Sequence, residues 1–300
     1  MSSINAITHN TNIEKVSYSL IVLNYNNASE TLRYVNAILE YDSIDHIMIV
    51  DNKSTDNSFE QLKELKSPKV DVVSSGKNGG YGYGNNFGIR ELVEKYHSKY
   101  IAISNPDVKF EENTGVECAR FLVQNESASY FAVAPVMINI TGEKNKYCAW
   151  DAPRAVNYLF FSLPVLGKVF KLDYKNVEDT DDSKYLNCDC IAGSFLMVNA
   201  ELFSNIGMYD EGIFLYCEET SLGIRAKKKG YRSAMLLDQT FIHAHSTTIS
   251  KEIKGKVKRL NIMWNSRLHV LENEYKWGKV RMVLARIVKC IHLLEVSIFG

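Results

Sequence analysis

Four short apolar runs separated by helix-like segments constrain the fold of this chain more than any other feature of its sequence. Apolar runs without alternating polar residues are typical of strands that are buried on both faces. Their alternation with helices indicates βαβ units, and we therefore predict an α/β fold with a mixed, mainly parallel sheet. The predicted strands are Ser19–Leu23, His46–Val50, Val70–Val73 and Tyr100–Ser104, and the predicted helices are Ala28–Leu39, Phe59–Leu65 and Phe87–Tyr96. Two later apolar runs, Ile191–Val198 and Ala234–Leu237, are also predicted to be strands.

A polar cluster follows each of these predicted strands. In chain order the clusters read LNYNN, VDNKSTDNS, GKNGGYGYGNN and NPDV. Because parallel strands end at the same edge of a sheet, the clusters should meet there. This edge is where open α/β sheets bind nucleotides, so the order of the clusters predicts a nucleotide site.

Several residues in these clusters suit a nucleotide. Tyr25 can stack against a base. Asp51 can accept a hydrogen bond from a pyrimidine imide N–H, and Asn52 adds an amide; the alternative for Asp51 is a turn cap in DNKSTDNS. Glycines such as Gly80 allow a ligand to approach the backbone closely. Their spacing matches neither G-x-G-x-x-G after a first strand nor a P-loop, which disfavours dinucleotide binding and P-loop hydrolysis.

The fourth cluster contains a candidate metal ligand. Pro106 ends the strand because proline has no N–H for the ladder, and this presents Asp107 at the sheet edge. A carboxylate there suits a divalent cation that bridges a diphosphate. The alternative is an ordinary Asn-Pro-Asp turn.

Two adjacent acids, Glu218 and Glu219, open a polar helix that we predict to run to Lys229. The helix dipole favours negative charge at this end. Consecutive helical residues point about 100° apart, so only one of the two can face a cleft. The alternative is that both are simply first-turn acids. Arg225 lies on a different face, and we expect it to bind a backbone group or a structural carboxylate.

The C-terminal region is basic and amphipathic. Residues 251–300 contain eleven lysines and arginines against four glutamates, although the whole chain has a formal net charge of zero. Seven apolar residues there follow helical spacing, and we call them the terminal stripe. An interfacial helix on anionic lipid and a helix packed on its own domain or on a second subunit are both open. The terminal stripe consists of Val280, Val283, Leu284, Ile287, Ile291, Leu294 and Ile298.

Composition excludes several classes of protein. The sequence has no apolar run of about 20 residues, so we expect no transmembrane helix. Its first residues lack the features of a secretory signal. The six cysteines form no paired framework, and Cys188 and Cys190 have no common zinc spacing. We expect a cytoplasmic protein with reduced thiols that can lie peripherally on the inner face of the cell membrane, and no nucleic-acid partner.

The ordered motifs resemble those of family 2 glycosyltransferases with the GT-A fold, especially rhamnosyltransferase-like enzymes of bacterial polysaccharide assembly. The resemblance implies a GT-A domain over 17–250. We expect the polar residues 1–16 before it to be flexible and residues 251–300 after it to form the basic amphipathic helical tail. The GT-A domain would combine a Rossmann-like nucleotide-binding half (17–110) with an acceptor half (111–250). The matching segments are SLIVLNYN, IVDNKSTDNS, NGGYGYGNN, NPDV, IAGSFLMV, GMYDEGIFLYCEETSLGIRAKKKGY and FIHAHSTT.

The same resemblance implies a nucleotide-sugar donor of the dTDP-rhamnose or UDP-hexose type, a glycan or lipid-linked glycan acceptor, Mn²⁺ or Mg²⁺, and inversion at the anomeric carbon. Asn105 and Asp107 occupy the family's Asp-x-Asp positions, with Asn replacing the first Asp. His243 matches a position near the diphosphate and metal; a packed strand-end histidine is its alternative. The residues expected to bind the nucleotide are Leu23, Tyr25, Asp51, Asn52, Asn78, Gly80, Asn85 and Asn105.

The segment CEETSLGIR resembles the family's Glu-Asp-x-x-Leu-x-x-Arg motif, whose second acid is the general base. That position is Glu219 here, a Glu in place of Asp, and Glu218 is the other candidate. These departures leave open a catalytically inactive nucleotide-binding or scaffold module. A nucleotidyltransferase is disfavoured, because no Lys or Arg follows the first strand until Arg33.

Overall fold

The computed structural model describes residues 16–178, 183–244 and 254–299. The flexible segment predicted over 1–16 lies outside the described residues except for Val16, and so does the domain boundary predicted at residue 250. The strands are β1 Tyr18–Asn24, β2 Ile44–Asp51, β3 Val70–Ser74, β4 Tyr100–Ser104, β5 Val108–Lys109, β6 Tyr130–Ile138, β7 Ala149–Trp150, β8 Tyr185–Cys188, β9 Cys190–Ile191, β10 Phe195–Asn199 and β11 Arg232–His243.

Most of the helices lie between these strands in the chain, and the last two follow β11. Two short 3₁₀ turns, Glu126–Ala128 and Leu166–Lys168, complete the described elements. The helices are α1 Ala28–Ile38, α2 Ser58–Lys63, α3 Tyr81–Tyr96, α4 Glu112–Gln124, α5 Ala155–Phe160, α6 Ala200–Ile206, α7 Glu218–Lys228, α8 Lys256–Asn273 and α9 Lys279–Phe299.

One mixed sheet organises the chain. Its strand order is β3-β2-β1-β4-β10-β6-β11-β5, with β8 also paired to β11. Strands β1 to β4 are mutually parallel, β6 and β11 are parallel to each other, and β10 runs antiparallel between β4 and β6. The predicted α/β fold with a mainly parallel sheet is confirmed. Strand β10 thereby joins the two predicted halves, 17–110 and 111–250, in a single sheet.

The central strands are apolar because helices cover both faces of the sheet. Leu20, Ile49 and Ile101 are fully buried, as are most of their neighbours on β1, β2 and β4. A polar side chain on such a strand would be removed from water whichever face of the sheet it pointed to. This burial explains why the strands are so visible in the sequence.

The glycine-rich segment corrects one prediction. Helix α3 begins at Tyr81, six residues before the predicted start at Phe87. Its glycines face neighbouring elements: a Cβ atom on Gly84 would lie 2.3 Å from Leu23 Cδ1, and one on Gly82 would lie 2.8 Å from Tyr209 Cβ. Gly82 and Gly84 therefore allow close helix packing, where we had expected a loop open to a ligand.

Two strands also differ from their predicted extents. The strand predicted over Ile191–Val198 is interrupted at residues 192–194 and divides into β9 and β10. The strand predicted over Ala234–Leu237 continues to His243, because the second part of β11 pairs with β6 and β5. Both differences arise from long-range pairing, which a local pattern does not contain.

The two C-terminal helices build a second hydrophobic core. Trp264, Val270 and Leu271 of α8 are fully buried there. Arg225 bonds the carbonyls of Ile206 and Met208 and pairs with Glu274, which confirms its predicted structural role. Among the described residues, no helix combines the length and the apolar character needed to cross a membrane.

Helix α9 packs with the face that the sequence did not predict. Met282, Ala285 and Val288 are buried against the second core. The terminal stripe lies on the other side of the helix, where each of its seven residues is at least 50% exposed. Helix α9 thus packs on its own domain, as one alternative held, but it does so with residues outside the terminal stripe.

A glycine on α7 provides a test of this packing. A Cβ atom on Gly223 would lie 2.4 Å from the backbone oxygen of Asp189 and 2.5 Å from Cys190 Sγ. We expect Gly223→Ala to lower the free energy of unfolding by about 1–3 kcal/mol, because the helix must move away from this backbone. Denaturant unfolding measures the change.

Gly278→Ala is the matched control, because no atom lies within 4 Å of the position that its Cβ would take. This variant should change the free energy of unfolding by less than about 0.5 kcal/mol. Equal stabilities for the two variants would contradict the described contact between α7 and the Asp189 backbone.

Candidate active site

The ends of β1 and β2 are joined by a buried carboxylate. Asp51 lies opposite Asn24 in the parallel register and is 2% exposed. Its carboxylate accepts hydrogen bonds from Asn24 Nδ2 at 2.9 Å, Ser54 N at 2.9 Å and Ser54 Oγ at 2.5 Å. Asp51 thus caps the turn that follows β2, as the alternative predicted, and its contact with a nucleotide stays a prediction.

A second polar network continues along the same edge of the sheet. The Asn52 side chain donates to Asn78 Oδ1 at 3.2 Å and to the Gly80 carbonyl at 3.0 Å. Asn78 Oδ1 also accepts from the Gly80 N–H at 3.2 Å. The structure therefore brings three predicted nucleotide residues together in one hydrogen-bonded group.

Gly80 has a clear structural reason to be glycine. Its φ is +93°, a conformation that other residues rarely adopt, and its Cβ atom would lie 2.0 Å from the Phe214 carbonyl oxygen. The next N–H, of Tyr81, donates to this carbonyl at 3.0 Å. The glycine thus permits the contact between the start of α3 and the loop before α7.

The remaining predicted nucleotide residues lie around this group. Leu23 is partly buried near the end of β1, and Tyr25 follows the strand with a half-buried ring. Asn85 is buried on α3, where its side chain bonds the Tyr81 carbonyl at 3.0 Å. Asn85 therefore contributes to the helix itself, and only its position relates it to the predicted site.

The candidate metal ligands meet at the ends of β4 and β11. Strand β11 pairs with β5 so that His243 lies opposite Val108. The imidazole Nε2 of His243 is 3.2 Å from Asp107 Oδ2, and the Asp107 side chain is 7% exposed. Asn105 precedes them as a half-buried residue.

This pair fits a cation that is shared with a substrate. Mg²⁺ and related ions at nucleotide sites take one or two protein ligands and fill the other positions with phosphate oxygens and water. Among the described residues, no three His, Cys, Asp or Glu side chains gather into a self-contained metal cluster. Asp107 and His243 can therefore supply part of a coordination shell, and a diphosphate would supply the rest.

A three-residue loop, 192–194, connects the metal candidates to the acidic pair. The Ser194 carbonyl accepts from the Asn105 N–H at 2.9 Å. The Gly193 N–H donates to Glu219 Oε1 at 3.1 Å, and the Gly193 carbonyl accepts from the Tyr81 hydroxyl at 2.5 Å. The strand end with Asp107 and the helix end with Glu219 are thus fixed to the same short segment.

The two acids differ in their surroundings. Glu218 is 2% exposed, and no group among the described residues bonds its Oε1. Burial and then the charge of Glu219 raise the pKa of the Glu218 carboxyl well above its usual range. Burial also raises the pKa of Glu219, but hydrogen bonds from its own N–H and from the Gly193 N–H oppose the shift. Glu219 therefore ionises more readily than Glu218.

The loop before these acids has a strained backbone and is held in place by α8. Tyr216 and Cys217 have φ values of +67° and +71°, which are unfavourable for residues with side chains. Helix α8 supports the loop, because Ser266 Oγ donates to the Leu215 carbonyl at 2.7 Å. His269 Nε2 lies 2.9 Å from Asp210 Oδ2 at the other end of the same loop. Helix α8 thus fixes the entry to α7.

Comparison with known proteins identifies the family. Residues 19–207 match the family described as Glycosyl transferase family 2, and this span includes all of β1 except Tyr18 and every strand from β2 to β10. The chain belongs to this family. The resemblance seen in its motifs is thereby confirmed.

Two relatives of this chain are named as transferases of sugars. The low-salt glycan biosynthesis hexosyltransferase Agl10 of Haloferax volcanii is 24% identical over 211 residues, which are 70% of this chain and 62% of the relative. The N-acetylglucosaminyl-diphospho-decaprenol L-rhamnosyltransferase of Mycobacterium tuberculosis is 25% identical over 215 residues, 67% of each chain. The match thus spans less than two thirds of the first relative.

A solved structure supports the fold. The crystal structure of GalNAc-T7 with UDP, GalNAc and Mn²⁺ superposes with a TM-score of 0.61 at 14% identity. The alignment covers 87% of this chain and 49% of GalNAc-T7. Together with the strand order, this likeness shows the predicted GT-A fold.

Several residues of the site were not predicted from the sequence. Asn24 links Asp51 to α1, because its Oδ1 also accepts from the Thr31 hydroxyl at 2.8 Å. Asn86 bonds both the N–H and the carbonyl of Tyr209, at 3.0 Å and 2.9 Å, and so attaches α3 to the loop before α7. Asn24 and Asn86 lie within motifs already recognised, but the sequence carries no signal for their distant partners.

The buried Glu218 carboxyl predicts how stability depends on pH. Because its pKa is raised in the folded state, the folded protein binds more protons than the unfolded protein above the usual glutamate range. The stability of the wild type should therefore fall as the pH rises through this window. We expect Glu218→Gln to raise the melting temperature at pH 8 relative to the wild type, with a smaller gain at pH 5.

Glu201→Gln is the matched control, because Glu201 is an exposed first-turn acid of α6. Its melting temperature should follow the wild type at both pH values. If Glu218→Gln also followed the wild type at both, the carboxyl would not be held in its protonated form.

Proposed function

We propose that this glycosyltransferase moves a sugar from a nucleoside diphosphate donor to a hydroxyl group of a glycan, with inversion at the anomeric carbon. The observation that carries the proposal is the hydrogen bond from the Gly193 N–H to Glu219 Oε1. The loop 192–194, which holds Glu219 in this way, also accepts the N–H of Asn105 at the end of β4 through its Ser194 carbonyl. The proposed base and the sheet edge proposed to bind the diphosphate are therefore held by the same short loop.

Glu219 acts as the general base in this proposal. Glu219 is half-buried as a residue, and its carboxyl ionises more readily than that of Glu218. It takes the proton of the acceptor hydroxyl while the acceptor oxygen attacks C1 of the sugar. The bond between C1 and the phosphate oxygen breaks, and the nucleoside diphosphate leaves with the electron pair. One direct displacement inverts the configuration at C1.

Glu218 has a different role. Burial and the charge of Glu219 raise the pKa of the Glu218 carboxyl well above its usual range, so Glu218 gives up its proton after Glu219 does, and a protonated neighbour does not repel the charge that forms on Glu219. Glu218 therefore lowers the energetic cost of ionising the base, without touching the reacting atoms. This division of roles agrees with the helix geometry, in which only one of two consecutive acids can face the cleft.

Asp107 and His243 would hold a divalent cation, Mn²⁺ or Mg²⁺, together with the donor diphosphate. Such a cation neutralises the charge that develops on the leaving group. GalNAc-T7, which shares the fold, was crystallised with Mn²⁺. Asp107 contributes a carboxylate at the sheet edge, and His243 is positioned beside it by the pairing of β11 with β5.

The donor and acceptor are proposed from the relatives and from the site. Asp51 and Asn52 at the end of β2 suit a pyrimidine base, and a dTDP-rhamnose or UDP-hexose donor agrees with the named rhamnosyltransferase and hexosyltransferase. The name of the rhamnosyltransferase includes N-acetylglucosaminyl-diphospho-decaprenol, a sugar linked to a lipid through a diphosphate. This name supports a lipid-linked glycan as the acceptor here. The inactive-scaffold alternative is not favoured, since both acids and the Asp107–His243 pair are present.

Replacement of the base tests the proposal. We expect Glu219→Gln to lower the rate of transfer by about 10²- to 10⁴-fold, because the acceptor hydroxyl then loses its proton acceptor. Donor binding should remain, since the donor contacts lie at the sheet edge. Release of nucleoside diphosphate from dTDP-rhamnose and from UDP-hexoses, with thermal stabilisation by the same donors, measures both quantities.

Glu201→Gln, which changes another first-turn acid, should keep the wild-type rate. Glu218→Gln keeps a neutral side chain next to Glu219 and should reduce the rate far less than Glu219→Gln. A Glu219→Gln variant with wild-type turnover would refute the assignment of the base. A wild type that binds the donor and transfers nothing to any glycan would favour the scaffold.

A further inference from the structure

The terminal stripe is an exposed apolar surface on a helix that is otherwise well packed. Its seven residues are between 50% and 86% exposed, with Leu284 the least and Val280 the most accessible. Helix α9 spans 21 residues and is thus about 30 Å long, and the stripe follows almost its entire length. An apolar face of this size is unusual on a monomer surface and marks an interaction site.

The packing of α9 fixes the direction of the stripe. Met282, Ala285 and Val288 are buried against α8, and Trp264 Nε1 donates to His292 Nδ1 at 3.1 Å. At about 100° per residue, the centre of the stripe is rotated by roughly 145° from this buried face. The helix is therefore attached by one side and presents the stripe outward.

Charge on α9 complements an anionic surface. Lys279, Arg281 and Arg286 are exposed on the helix, and Glu295 is its single acid. Over residues 251–300 the eleven basic residues outnumber the four acids. Basic residues that border an apolar helical face are the pattern of helices that lie in the lipid interface, where the apolar side enters the bilayer and the cations meet the headgroups.

A second exposed apolar segment is attached to the same helix pair. Val165 and Val169 are 76% and 75% exposed, and Lys168 lies between them. The segment is anchored to α8, because Arg267 donates to Ser162 Oγ at 2.7 Å while its guanidinium packs on Phe161 at 4.4 Å. The terminal stripe and the segment with Val165 and Val169 are thus both held by α8.

We propose that the terminal stripe docks this protein on a bilayer that contains anionic lipid. A second copy of the chain is a poorer partner, because pairing two stripes would bring Lys279, Arg281 and Arg286 of both copies into one interface with a single acid each. Anionic headgroups neutralise the same charges. No helix in the described ranges is suited to span the membrane, so attachment would be at the surface.

Helix α8 connects this docking to the proposed function. Helix α8, which packs under α9, also holds the Leu215 carbonyl in the loop that leads to Glu218. Docking would therefore keep the acidic pair at a fixed relation to the bilayer, where a lipid-linked acceptor is found. This consequence rests on the proposed function, whereas docking itself does not.

Vesicle binding of the full chain without donor tests the proposal. The wild type should co-float with vesicles of phosphatidylglycerol and phosphatidylcholine, and less with phosphatidylcholine alone. The double variant Ile287→Ser with Ile291→Ser should bind about a hundredfold more weakly, because two apolar side chains no longer enter the interface. Arg281→Gln with Arg286→Gln should lose about thirtyfold on anionic vesicles and little on neutral ones.

The matched control is Val93→Ser with Val123→Ser, which changes two valines that are 39% and 38% exposed on α3 and α4. This control should bind vesicles like the wild type. All variants should melt near the wild-type temperature and transfer sugar to a soluble acceptor, so loss of docking is separated from loss of fold and of activity.

Three results would overturn the proposal. The wild type would not bind anionic vesicles, or the Ile287→Ser, Ile291→Ser variant would bind them as well as the wild type. In the third, the wild type would be a dimer that this variant converts to a monomer, which would assign the stripe to a second copy. Failure of transfer with intact vesicle binding would instead refute only the proposed function.

Discussion

The geometry of the candidate site depends on one peptide segment, the loop 192–194 between β9 and β10. Its Gly193 N–H holds Glu219, its Gly193 carbonyl holds Tyr81, and its Ser194 carbonyl holds the start of the Asn105–Asp107 turn. Backbone groups that bind in three directions leave little freedom to the elements around them. The metal candidates and the proposed base therefore keep a fixed relation although more than 100 residues separate Asp107 from Glu219 in the sequence.

Much of the fold could be predicted from the sequence because local patterns determine it. Buried parallel strands need continuous apolar residues, and their ends need turns, so β1, β2 and β4 are evident. The start predicted for α3 was wrong. Glycine disfavours a helix locally, whereas the close packing of Gly84 on Leu23 favours the helix in the folded protein. The face by which α9 packs could not be predicted, because periodicity reveals an apolar side and not its partner.

The candidate site was predicted only in part. Strand order brings Asp51, Asn78 and Asp107 to one edge, and this follows from the alternation of strands and helices. Their hydrogen-bond partners do not follow from it. Contacts such as Asn24 to Asp51 and Tyr81 to Gly193 join residues that are 27 and 112 positions apart. Such contacts depend on the assembled sheet, and no local signal distinguishes these side chains from other polar residues.

The most direct test of the central claim is a crystal structure of the wild type with Mn²⁺ and a non-hydrolysable analogue of the donor it binds. Anomalous scattering would locate the ion, and the density would locate C1 of the sugar. The account predicts Mn²⁺ bound by Asp107 and by the diphosphate, with C1 facing a space that the Glu219 carboxylate borders. An ion bound elsewhere, or a sugar directed away from Glu219, would contradict the account.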